Sequence, residues 1–112
     1  MREFNSAPLE VRKTVTGDFQ TQPYECGWAS EAIFFITIEK ISGDNPRLTA
    51  NVQLSNDGVL NWADEGSRFE PMLETGFCFL RVKHFGGWLR LNCNVSGTDA
   101  QFRVSIQLAL KE

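Results

Sequence analysis

Histidine occurs once in this chain of 112 residues, tyrosine once, methionine twice and cysteine an odd three times. Each scarcity removes a class of chemistry. A hydrolytic triad needs a base beside a nucleophile, and the only imidazole is His84, which sits near a strand end beside Phe85 and two glycines and reads as a structural, partly buried residue. Cysteine–histidine catalysis would bring Cys78 or Cys93 to His84, but nothing nearby would lower a thiol pKa. The spacing of Cys26, Cys78 and Cys93 fits no zinc motif. Asp57, Asp64, Asn56 and Glu65 do not have calcium-loop spacing, and Asp57 is already accounted for by a turn. The glycines are scattered through turns and form no phosphate loop. No pair of carboxylates is singled out for glycoside hydrolysis. The expectation is a non-enzyme without metal or cofactor.

Long apolar runs are also missing. The longest, residues 32–38, has strand length and cannot cross a bilayer, so no membrane role is expected. The first eight residues hold no apolar stretch of signal-peptide type. With an odd cysteine count this points to free thiols in a reducing compartment, hence a cytoplasmic protein or one incorporated into an assembly. The sequon Asn94-Val95-Ser96 is then incidental. Excess positive charge is absent too: the net charge is −3, which argues against nucleic acid as a partner.

What the chain has is alternation. Leu48, Ala50, Val52 and Leu54 alternate with polar residues, and so do Phe102, Val104, Ile106, Leu108 and Leu110. This period of two turns every second side chain to one face of a strand. Leu9, Val11 and Val15 form a weaker first strand, and residues 31–41, apolar on both faces at Ile33, Phe34, Phe35 and Ile36, read as a central one. Nine phenylalanines and three tryptophans favour packed sheets. No window has a helical period. An apolar fraction of 42% is typical of a folded domain, and nothing divides residues 1–112, which read as a single domain. The predicted fold is an all-β antiparallel sandwich, jelly-roll-like, of about seven to eight strands.

Turn chemistry suggests the pairings. Ser42-Gly43-Asp44-Asn45-Pro46 is expected to close the strand before it. Residues 55–59 read as a three-residue hairpin loop with Gly58 left-handed, setting Leu54 opposite Leu60 and Val52 opposite Trp62. Gly86-Gly87 is expected to turn residues 77–85 onto 88–95, pairing Val82 with Leu91, Leu80 with Cys93 and His84 with Leu89. Residues 96–99 are expected to form another hairpin, pairing Leu91 with Val104, Cys93 with Phe102 and Leu89 with Ile106. Both registers build one apolar row across three strands. Residues 17–27 and 63–76 read as loops, the latter with a short edge strand at 68–69.

On those registers the opposite face of the last three strands carries Arg81, Lys83, Arg90 and Arg103 with Asn92 and Asn94, flanked by Phe77, Phe79, Phe85 and Trp88. Lys83 would face Arg90. Exposed rings beside arginines are typical of protein interfaces. The candidate binding residues are therefore Trp88, Arg90, Arg81, Lys83, Arg103 and Phe79. The expected partner is another protein or further copies of this chain; a glycan held on Trp88, Trp62, Trp28 or Tyr24 is the alternative.

The run from Val52 to Trp62 contains S-x-D-G-x-x-x-W, followed by Phe79-Leu80-Arg81-Val82 and the pair 88–91 and 102–104. Over roughly residues 30–110 this resembles small β-sandwich modules of tailed-phage virion proteins and of uncharacterised bacterial proteins. Discoidin-like carbohydrate-binding modules carry a similar hairpin. The resemblance implies a sandwich with Trp62 in its core, and no binding residue is carried over from it. The function it fits is a structural or protein-interaction module, a subunit or accessory domain of a larger assembly.

Overall fold

A computed structural model describes residues 4–83, 85 and 87–112. The chain runs through β1 (Phe4–Val15), β2 (Phe19–Gln20), β3 (Tyr24–Glu25), β4 (Glu31–Ser55), β5 (Trp62–Arg68), β6 (Gly76–Lys83) and β7 (Trp88–Lys111), with no helix among the described residues. Strands β4 and β7 are far longer than the usual five or six residues. They pair antiparallel from Glu31↔Lys111 to Ser55↔Trp88, forming one long two-stranded ribbon.

The ribbon folds over on itself. Its register slips three times between Ile38 and Arg47: β4 takes an extra residue beside Ile38 and another before Arg47, and β7 takes one between Thr98 and Gln101. Each insertion is a bulge, which bends a strand and increases its twist. Asn45 (φ 51°) and Asp99 (φ 52°) adopt the left-handed backbone that their short polar side chains tolerate. Gly97 is needed for close approach, since a Cβ there would stand 2.7 Å from the Asn45 carbonyl oxygen.

The corner makes two layers. The first holds residues 31–41 and 102–111, with β6 on the β4 side and β1 on the β7 side. The second holds residues 47–55 and 88–96, with β5 on one edge and the short β2 and β3 on the other. The bulges also explain the burial pattern. Two insertions in β4 keep the parity, so Ala32, Phe34, Ile36 and Ile38 and then Leu48, Ala50 and Val52 all face inward. A single insertion in β7 flips it, from Leu89, Leu91 and Cys93 to Phe102, Val104, Ile106, Leu108 and Leu110. These residues are nearly inaccessible and form one core between the layers.

The all-β antiparallel sandwich is as the alternation predicts, and Val82, Leu91 and Val104 are buried as expected. The pairings differ. Strand β6 lies on β4, with Val82 opposite Ala32 and Leu80 opposite Phe34, rather than on residues 88–95. Residues 96–99 form the corner of a continuing strand instead of a hairpin, so Leu91 partners Val52 and Val104 partners Ile38. Residues 42–46 likewise bend β4 without ending it. The expected places of His84 and of the Gly86 turn lie outside the described residues.

Three smaller expectations are also corrected. Residues 62–68 are an edge strand, and the loop before it is longer than three residues, with Ser55 opposite Trp62 and Leu54 opposite Ala63. Gly58 is left-handed as expected (φ 73°). Val11 is exposed because register shifts between Pro8 and Lys13, with Arg12 at φ 46°, break the alternation of β1.

Candidate functional sites on the two outer faces

The pairing of β6 with β4 splits the predicted basic and aromatic surface between opposite sides of the molecule. Phe79, Arg81 and Lys83 point outward from β6 with Phe77, on the first layer. Arg103 is on that layer too, but its register partner is Lys40, beyond the end of β6. Trp88 and Arg90 belong to the second layer, so Lys83 never meets Arg90.

On the first layer the β6 register sets Phe79 beside Phe35 and Phe77 beside Thr37. The rings of Phe35 and Phe77 stack with centroids 5.6 Å apart, and Phe79 meets Phe35 at 6.4 Å with a tilt of 46°. The Arg81 guanidinium lies 5.1 Å from the Phe79 centroid. Lys83 Nζ is 3.8 Å from Glu31 Oε1, an exposed ion pair. Phe77 remains 65% exposed and Phe79 49%, at the edge of the layer. Arg103 Nε, 3.9 Å from Glu39, has no hydrogen-bond partner among the described residues; Glu39 also lies 3.7 Å from Arg12.

On the second layer Arg90 sits over Trp62, its guanidinium 4.1 Å from the ring centroid, and its Nε donates to Gln53 Oε1 at 2.8 Å. Burial lowers the pKa of this arginine from its ordinary value. Trp62 is therefore a half-buried platform on the outer side rather than the core residue the motif suggests. Next to it, polar side chains cross four strands in a chain of hydrogen bonds. Gln20 Nε2 donates to Asn92 Oδ1 (2.9 Å), Asn92 Nδ2 to Asn51 Oδ1 (3.1 Å), and Asn51 Nδ2 to Asp64 Oδ1 (3.0 Å). Gln53 Nε2 donates to the same Asp64 oxygen at 3.1 Å. Asn51, Gln53, Asp64 and Asn92 line a groove of about 820 Å³, with Arg47, Arg68 and Glu70 at its sides. A second groove, of about 490 Å³, gathers Tyr24, Trp28 and Trp88 with Pro8 and Pro23.

Two of these arrangements escape a strand-by-strand reading. The aromatic cluster depends on Phe35, which looks like a core residue until β6 is placed beside it. The amide network joins β2, β4, β5 and β7, and of its members only Asn92 belongs to the face singled out from the sequence.

Three other features bear on chemistry. Burial, reinforced by Glu25, pushes the Cys26 thiol up to about 12, and burial, reinforced by Glu10, does the same for Cys93. Cys78 is half-buried and also raised by burial. The loop after Ser55 is organised around Asp57, whose Oδ1 accepts from the backbone N–H groups of Val59 (2.9 Å), Leu60 (3.2 Å) and Asn61 (3.3 Å) and from the Ser55 hydroxyl (2.9 Å). The Val59 N–H, then the Ser55 hydroxyl, hold its carboxyl down at about 2. Among the described residues no three of His, Cys, Asp and Glu come together as a metal site.

No protein-family model and no curated protein matches the chain. Solved structures do share its fold. The SPBc2 prophage-derived protein YomS aligns over 100% of this chain and 96% of its own, with a TM-score of 0.56 at 12% identity. A chain in the structure of infectious bursal disease virus, Gx strain, aligns over 98% of this chain with a TM-score of 0.62 at 10% identity. The present chain covers 32% of that viral chain, about a third of its length.

Proposed function

We propose that this chain is a non-catalytic structural or protein-interaction module, a subunit or accessory domain of a larger assembly, which docks through the outer face of β6. The observation that carries the reading is the cluster of Phe35, Phe77 and Phe79, with Phe77 mostly and Phe79 about half open to solvent at a layer edge. Exposed contiguous rings mark interaction surfaces, and Arg81 and Lys83 supply the polar rim that such surfaces carry. Covering the open part of each ring offers a driving force on the order of 2 kcal/mol. The fold shared with a prophage-derived protein and with a chain of a virus structure is consistent with that setting.

Light scattering across a concentration series tests it. The wild-type chain is expected to self-associate, and Phe77→Ser with Phe79→Ser to weaken association by about 30-fold per ring. Because both rings are exposed, the variants should fold normally. A wild type that stays monomeric up to about 1 mM, with a mass unchanged by both substitutions, would overturn docking between copies of this chain through that face.

A further inference from the structure

We propose that the outer face of the second layer is a binding site for an uncharged glycan, held by the amide network of Asn51, Gln53, Asn92 and Asp64. This is a separate site from the phenylalanine face and does not rest on it.

Composition and position are at odds on this face. Asn and Asp are depleted in strands because their side chains compete for the backbone and cover little of the pleated surface. Here Asn51, Asn92 and Asp64 occupy the outer face of three adjacent strands, beside Gln53 and Gln20. A merely solvated face is better served by Thr, Lys or Glu, whereas a face that must present fixed donors and acceptors needs short planar groups.

The network also leaves hydrogen-bonding valence over. Each carboxamide has two N–H donors and an oxygen with two lone pairs. Asn51 spends one N–H on Asp64 and accepts one bond from Asn92; Asn92 spends one N–H on Asn51 and accepts one from Gln20. Each therefore keeps a donor and an acceptor side by side, oriented by neighbours that have already paid the ordering entropy. Adjacent hydroxyls of a sugar ring, each both donor and acceptor, are the natural complement of such a pair.

Shape and charge suit a neutral ligand as well. Asn51 pairs with Arg68 and Gln53 with Asp64, so β5 takes four residues where β4 takes two. The bulge raises Gly66, Ser67 and Arg68 into a wall along one side of the groove. Its volume, about 820 Å³, lies within the range of small-ligand clefts, about 300–1,000 Å³. Arg47 and Arg68 are balanced by Asp64 and Glu70, so the lining has no net charge to attract phosphate or an acidic sugar.

Affinity electrophoresis in gels containing dextran, soluble starch, xyloglucan, galactomannan or mixed-linkage β-glucan tests the proposal, with dextran sulfate as the charged control. Retardation by at least one neutral polysaccharide is expected. Asn92→Leu and Asp64→Asn should each weaken it at least tenfold while keeping the wild-type circular dichroism, and Phe79→Ser should leave it unchanged. In ¹H–¹⁵N spectra the side-chain amides of Asn51 and Asn92 should shift on addition of the matching oligosaccharide. Failure of every neutral polysaccharide, retardation by dextran sulfate alone, or retention in both groove variants would overturn the proposal. None of these outcomes touches the self-association test.

Discussion

Gly58 lies against the indole of Trp88, so close that a Cβ would stand 2.5 Å from the ring. The glycine of the S-x-D-G-x-x-x-W pattern thus serves a tryptophan far along the chain, while Trp62 of the same pattern holds Arg90. Gly58→Ala meets two obstacles, the left-handed φ of 73° and the ring itself. It is expected to cost more than about 1 kcal/mol, measurable as a lower urea midpoint with an unchanged slope.

The same loop carries a pH signature. Asp57 is held at about 2 in the folded chain against an ordinary 3.8. Its folded pKa is the lower of the two, so the loop's contribution is complete above the unfolded value and fades as pH falls from about 4 toward about 2. Asp57→Asn should be less stable than wild type at neutral pH, and the difference should shrink through that window. Chemical denaturation at several pH values reads it; a gap that stays constant down to pH 2 would refute the loop's role.

Thiol labelling separates the cysteines. Cys26 and Cys93 are inaccessible and poorly ionised, whereas Cys78 is half-buried on β6. Ellman's reagent at about pH 8 should modify Cys78 slowly in the native chain and all three thiols after unfolding. Native labelling of Cys93 faster than Cys78 would contradict the placement of β7.

Core truncations test the layer assignment. Leu91, in the second layer, and Phe102, in the first, are both inaccessible. Leu91→Ala should cost about 2–5 kcal/mol and Phe102→Ala about 3–5 kcal/mol. Equilibrium unfolding measures both, and a loss below about 1 kcal/mol at either position would place that side chain outside the core.

The inward rows were legible from alternation alone, because a period of two reports which side faces the core whatever the strand pairs with. Pairing was not legible in the same way. Ser96-Gly97-Thr98-Asp99 has the residues of a reversal, and Gly97 and Asp99 do take up positive φ, yet the chain bends there and continues. A bulge that flips parity, from Leu91 to Phe102, leaves the same imprint on the sequence as a hairpin. With β6 placed on residues 88–95, as the Gly86-Gly87 turn suggests, Trp88 and Arg90 group with Phe79 and Arg81, from which the core divides them. The aromatic and cationic residues themselves were identifiable. Their distribution over two faces was not, because it depends on contacts between residues far apart in sequence.

The folded-over ribbon also dictates when the molecule can form. Strand β7 is interior to both layers, flanked by β1 and β4 in one and by β2, β3 and β4 in the other. A nascent polypeptide ending before Trp88 lacks the central strand β7 of both layers and has no way to close either. Folding must wait for the last strand to leave the ribosome, and until then the greasy row of residues 32–38 stays uncovered. Such a chain should acquire its structure late and all at once, at the slow pace set by distant partners.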